Sequence, residues 1–131
     1  MEFMIQNRQQ KHIANYVIVW LPTISYCGLI FYFSSLPSMV APELFPGQDK
    51  IFHFFEFGFL SLLFLFSIKK TFLGASLKVL VVITIFFTAL YGISDEIHQY
   101  FVPGRESSIG DALADFSGAI IFQGKKLLKR F

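Results

Sequence analysis

Long apolar runs alternate with short polar or basic breaks along the chain. Four runs stand out: Tyr16 to Phe33, Ile51 to Ile68, about Leu77 to Ser94, and Ile109 to Phe122. A helix needs roughly 20 residues to cross a bilayer, within a range of about 17–25. Three runs meet that length, and the fourth meets it when extended to Leu128 with its Lys residues snorkelling. The pattern predicts an all-α, polytopic membrane protein with four transmembrane helices over about 16–33, 51–68, 77–94 and 109–128. Trp20, Tyr26 and Tyr32 supply amphipathic rings, Tyr32 at an interface. Pro22 predicts a bend, or the end of a first helical turn. Between Ser34 and Gln48, the breakers Pro37, Pro42, Pro46 and Gly47 exclude a helix through the middle. Pro103-Gly104 predicts a turn.

Gly110, Ala114 and Gly118 recur every four residues, a small-residue stripe that lets helices approach closely in lipid. The fourth helix is therefore expected at the centre of the bundle. Arg8 and Lys11 before the first run resemble the layout of a signal peptide, but Phe31-Tyr32-Phe33 closes the run without a small-residue cleavage site. An uncleaved anchor is the expectation. No internal repeat or second domain is visible, so residues 1–131 read as one membrane domain.

Charge fixes an orientation on this pattern. Nine of the eleven Lys/Arg residues are Arg8, Lys11, Lys69, Lys70, Lys78, Lys125, Lys126, Lys129 and Arg130. Short loops rich in Lys/Arg stay in the cytoplasm, which predicts both termini inside. Eight of the nine acidic residues, from Glu43 to Asp115, then gather at the outer face, so function is sought there. Composition agrees: 54% apolar and 15% charged residues, with eighteen Phe, do not suit a soluble domain of about 25% charge. The basic clusters are what topology alone requires, so nucleic-acid binding is a poor reading. The single Cys27 cannot form an internal disulfide and reads as a small buried residue.

Ionisable residues in membrane spans are costly and usually functional. Lys50, His53 and Glu56 lie three apart on one face of the second helix, with Asp49 a four-residue step from His53. Asp95, His98 and Gln99 share a face if the third helix continues that far, and Asp111 and Asp115 stand one turn apart on the fourth. The three sets are expected to meet in one pocket. Structural roles compete with this: Asp49 as a helix cap, Ser108 to Asp111 as a capping box, Glu106 as a solvated loop charge, and the whole cluster as a salt-bridge network. Glu56 and Asp115 lie deeper and need a partner or must be neutral, with Arg105, His53 and His98 available.

Three chemical readings stay open. Two His and several carboxylates can hold a divalent metal, with His53-x-x-Glu56 and Asp95-x-x-His98 as i, i+3 pairs. His53 or His98 can move protons in metal-free catalysis, oriented by an Asp. Lys50 and Arg105, the two basic residues expected outside, can recognise an anionic head group, since Arg binds phosphate or carboxylate in a bidentate manner.

The polar strings Phe33-Ser34-Ser35-Leu36-Pro37, Asp49-Lys50-Ile51-Phe52-His53-Phe54-Phe55-Glu56, Asp95-Glu96-Ile97-His98-Gln99, and Phe101-Val102-Pro103-Gly104-Arg105 leading to Asp111 resemble the VanZ-like family of small bacterial membrane proteins. The resemblance covers about residues 16–122. It implies a plasma-membrane protein acting at the cell envelope, in a family associated with resistance to the glycopeptide teicoplanin. The family's polar positions map onto Ser34, Ser35, Asp49, Lys50, His53, Glu56, Asp95, Glu96, His98, Gln99, Arg105 and Asp111; its last motif often ends in Asn where this chain has Asp115.

The expectation is an outward-facing pocket for a phosphorylated envelope lipid or precursor. The candidate reactive groups are His53, Glu56, Asp95, Glu96, His98, Gln99 and Asp111, with Lys50, Arg105, Ser34, Ser35, Asp49 and Asp115 binding. A hydrolase or transferase of phosphoryl or acyl groups, a non-enzymatic shielding protein, and a transporter subunit with a carboxylate proton relay are the competing readings.

Overall fold

The structure is a computed structural model and describes residues 2–37 and 44–128; of residues 2–13, Lys125, Leu127 and Leu128 it describes the backbone alone. Pro42, Glu43, Lys129 and Arg130 thus lie outside the described residues, as do the side chains of Arg8, Lys11 and Lys125. Four helices follow one another: α1 Glu2–Ser34, α2 Gln48–Thr71, α3 Leu77–Tyr100 and α4 Ile109–Leu128. The described residues contain no strand. Three stretches are long and apolar enough to cross a membrane: Ala14–Ser34, Gln48–Thr71 and Leu77–Tyr100. The carboxylates and Lys residues of α4 keep its apolar run short.

Two boundaries differ from the sequence reading. α1 starts at Glu2, so Pro22 sits inside the helix instead of ending a first turn. α3 runs past Ser94 to Tyr100, which puts the polar string 95–99 on helical surface.

α4 packs chiefly against α2, then against α3, while α1 lies against α2 and touches α3 least. The small-residue stripe explains the first contact. A Cβ at Gly118 would run into the Phe54 carbonyl oxygen, and one at Gly110 would lie 2.8 Å from Lys50 Cε. Across the same interface, Gly58 of α2 leaves room for the Phe122 ring, which would stand 2.6 Å from an added Cβ. Small residues thus let α4 reach the backbone of α2, as expected for helix association in lipid. The apolar side chains divide accordingly. Phe57, Leu60, Leu65, Leu80 and Val81 are buried between helices, while Phe66, Val82 and Phe86 face outward.

One end of the bundle, where α1 finishes and α2 begins, carries most of the charge. The opposite end is tied by hydrogen bonds that involve no carboxylate. Gln123 Nε2 donates to the Ser61 carbonyl at 2.8 Å and to its hydroxyl at 3.2 Å, and Lys126 donates to Gln123 Oε1 at 2.9 Å. Trp20 Nε1 donates to Thr71 Oγ1 at 2.9 Å, and the Thr23 and Ser67 hydroxyls pair at 2.9 Å. Lys69 and Lys70 close α2 at this end.

Candidate functional site

Local structure aims the charged side chains before tertiary packing gathers them. Gly47, in the left-handed region at φ 82°, turns the chain into α2. Gly47 stands at the N-cap with no side-chain cap bond, so Asp49 is a first-turn residue and not the expected cap. Its charge still suits the positive end of the helix. Between α3 and α4, Arg105 N donates to Val102 O at 3.1 Å and Gly104 takes φ 76°, a type II turn over Pro103-Gly104. That turn swings Arg105 back over α3.

Ser108 caps α4, accepting from Gly110 N at 3.0 Å. A capping box would have Asp111 answer the Ser108 N–H, but Glu96 of α3 takes it at 2.7 Å. Asp111 pairs instead with Lys50 of α2, at 3.2 Å. Three helices are thus laced together through one helix start.

His53 is the centre of the cluster. Its side chain is 4% exposed, and Nδ1 lies 2.9 Å from Asp115 Oδ1 and 3.7 Å from Glu96 Oε1. Nε2 faces Gln99 Nε2 at 3.4 Å and Asp49 Oδ1 at 3.9 Å. Asp115 reaches this position because α3 carries Gly92 beside it: a Cβ there would stand 2.6 Å from Asp115 Oδ2. Gln99 is fixed at both ends, donating to Asp95 Oδ2 at 2.7 Å and accepting from Arg105 Nε and Nη2 at 3.3 and 3.0 Å. Arg105 Nη2 also lies 4.0 Å from Asp49.

Two cavities open on this network. The first, about 560 Å³, has an apolar wall of Tyr26, Ile30, Phe33, Leu36, Phe52 and Phe55 and a polar side of Ser34, Asp49, His53, Glu56, Asp95, Gln99 and Arg105. The second, about 600 Å³, is lined by residues 46–50, Phe52, Gly104, Arg105, Glu106, Ser108 and Asp111. Asp49, Phe52 and Arg105 border both. Glu56 faces the first cavity without a hydrogen-bonding partner among the described residues.

The expected single pocket is therefore divided. His53, Glu56, Asp95, Gln99, Arg105, Asp49 and Ser34 share the first cavity, while Lys50 and Asp111 belong to the second. Glu96 and Asp115 lie behind His53, buried. Two residues stand apart. His98 Nε2 meets Ser35 Oγ at 2.9 Å and its ring stacks on Phe31 at 4.4 Å, an α1–α3 tie outside both linings. The reason is angular: Asp95 and Gln99 are one helical turn apart, whereas His98 is rotated about 100° from Gln99.

Gly92 and Ser108 escaped the reading of the sequence as site residues. Leu80, Thr84, Thr88, Gly92 and Glu96 follow the four-residue rhythm of a buried stripe on α3, which was the available signal.

Chemically, the first cavity joins an apolar wall to a fixed guanidinium and a histidine. His53, Glu96 and Asp115 offer ligand atoms all within 4.8 Å of one another, the set best placed to hold a metal. The Glu96 Oε1 and Asp115 Oδ2 oxygens are buried without hydrogen-bond partners.

Against known proteins, neither the curated sequences nor the solved structures gave a match. A family model described as VanZ/LLP1 matches residues 5–124.

Proposed function

The chain belongs to the VanZ/LLP1 family, and from that premise we propose a membrane protein whose charged end binds an amphiphile with a phosphorylated head group. Membership and three long apolar helices make it a VanZ-like, multi-pass membrane protein. The finer reading adds α4 as a fourth span, with both termini in the cytoplasm of a bacterium and the charged end facing the cell envelope. Lys69, Lys70, Lys78 and Lys126 support it, because all four lie at or near the ends of helices away from the charged cluster. Cysteines at Glu106 and Leu73, in a Cys27→Ser background, test this directly. An impermeant reagent is expected to label position 106 from outside whole cells and position 73 only after lysis; the reverse order would overturn the orientation.

The observation that carries the binding reading is Arg105 at the junction of the two cavities. Its guanidinium is held by Gln99, and beside it run the apolar wall of the first cavity and the Lys50 side of the second. An amphiphile needs this pairing: a chain against Ile30, Phe33, Phe52 and Phe55, and an anion within reach of a planar fork. An envelope lipid or precursor bearing phosphate fits it, and the family's association with teicoplanin resistance fits an envelope role.

Binding is tested with an isoprenoid-chain monophosphate in nanodiscs. Wild type is expected to bind it at least tenfold more tightly than the matching neutral alcohol. Equal affinity for the two would remove the anion from the reading.

The His53–Asp115 pair favours chemical modification of the bound head group over shielding alone, as a phosphoryl or acyl hydrolase or transferase. A carboxylate that fixes one ring nitrogen while the ring borders the cavity is an arrangement suited to proton transfer or metal ligation. The alternatives, a shielding protein and a transporter subunit, predict that His53→Gln leaves the bound lipid chemically unchanged, as wild type would.

A further inference from the structure

We propose that His53, Glu96 and Asp115 form a buried binding site for one divalent transition-metal cation of the zinc or manganese type. Three observations meet there.

The first is charge. Asp49, Glu56, Asp95 and Asp111 border the two cavities and Glu96 and Asp115 flank His53 behind them, six carboxylates from three helices with Lys50 and Arg105 as their fixed cations. Asp95, Glu96, Asp111 and Asp115 are each no more than 5% exposed. Buried charge without compensation is costly, and metal coordination is one of the ways proteins supply it.

The second is an orphaned carboxylate oxygen. The Glu96 side chain is 7% exposed, and its Oε1, the atom aimed at His53 Nδ1, has no hydrogen bond among the described residues. A buried carboxylate oxygen normally finds a donor. Asp115, 1% exposed, presents Oδ1 to the same ring nitrogen, while its unpartnered Oδ2 lies beside Gly92.

The third is spacing. Donors bonded to a metal at about 2.0–2.2 Å stand roughly 3.0–3.5 Å from their neighbours in tetrahedral or octahedral geometry. The His53 Nδ1 contacts to Asp115 and Glu96, at 2.9 and 3.7 Å, bracket that edge length.

The donor set selects the class of ion. One imidazole and two carboxylates suit zinc or manganese, and contain no thiolate for a softer metal. In binding, Nδ1 loses its proton to solvent and Nε2 carries the remaining N–H. That N–H ends the Gln99 Nε2 contact at 3.4 Å, since both nitrogens are then donors, and leaves Asp49, 3.9 Å away, as the carboxylate on that side of the ring. Gly92 contributes by absence, since any side chain there would press on Asp115.

This site extends the proposed function without depending on it: head-group binding by Arg105 is measurable in chelator. The test uses the full chain in nanodiscs, stripped with chelator and titrated with Zn²⁺, Mn²⁺ and Co²⁺. Wild type is expected to retain about one equivalent of at least one of these ions after buffer exchange. Glu96→Gln and Asp115→Asn are expected to weaken it at least tenfold, and His98→Ala to leave it unchanged. X-ray absorption of the zinc-loaded wild type, which needs no variant, is expected to show an N/O shell with one imidazole. Failure of all three ions to bind, equal binding by both carboxamide variants, or a shell with sulfur or several imidazoles would each overturn the site.

Discussion

Two buried glutamines, Gln99 and Gln123, occupy opposite ends of the same bundle and do different things. Each accepts from a cation: Gln99 from Arg105 and Gln123 from Lys126. Each donates across or along the core: Gln99 to Asp95, and Gln123 to the Ser61 carbonyl and hydroxyl. They differ in what lies beyond. Around Gln123 the partners are the Ser61 carbonyl and hydroxyl and the Lys126 ammonium, and the Ser61 hydroxyl donates a hydrogen bond to the Gly58 carbonyl at 2.6 Å. No carboxylate takes part in this network, which ties α4 to the backbone of α2 as a structural polar contact between membrane helices should. Around Gln99 the partners are Asp95, Arg105 and His53, beside a cavity, with orphaned carboxylate oxygens behind. Only hydroxyls, at Thr84 and Thr88, are left comparably unpaired in the middle of α3. A folding requirement accounts for Gln123. Gln99 sits among charges that folding alone gives no reason to bury.

The close approach of α4 to α2 supports both ends, so breaking it should have the largest effect. Gly118→Leu drives a side chain into the Phe54 backbone and is expected to cost about 3 kcal/mol by overpacking. The expected result is loss of folded protein after detergent extraction, read by size exclusion and thermal unfolding. The two glutamines then separate stability from binding. Gln99→Leu strips Arg105 of its orienting acceptor and should weaken phosphorylated-lipid binding at least tenfold in a Kd measurement. Gln123→Leu should instead lower stability by about 1–2 kcal/mol, from the unpaired Ser61 and Lys126 groups, while lipid affinity stays within about twofold. If Gln123→Leu abolished binding at normal stability, the contrast between the ends would be wrong. The smallest effect belongs to the α1–α3 tie. Ser35→Ala removes the contact to His98 and the hydroxyl's exposed bond to the Phe31 carbonyl, and should cost about 1 kcal/mol or less with no change in affinity, measured by thermal unfolding and the same binding assay.

Much of this was legible from the chain. The apolar runs marked all four helices, and the Pro103-Gly104 turn formed as its residues dictate. His53, Glu56, Asp95, Gln99 and Arg105 shared a cavity because helical spacing had already put each set on one face. What spacing could not give was the rotation of each helix about its axis. One residue separates Gln99, in the cavity, from His98, against Phe31 and Ser35. The lacing of Glu96 to Ser108 was equally hidden, because a capping box reads as a local motif and a carboxylate from another helix took its place. The Gln123 network escaped notice because a lone Gln in an apolar run carries no charge to sort.

The most direct measurement is the affinity of Arg105→Lys for an isoprenoid-chain monophosphate in nanodiscs, in chelator and beside wild type of equal thermal stability. A guanidinium that grips phosphate through its planar fork cannot be replaced by a point charge. The expected result is at least a tenfold loss of affinity for the phosphate with little change for the neutral alcohol. Wild-type affinity in Arg105→Lys would contradict it and leave Arg105 as a counter-ion within a structural network.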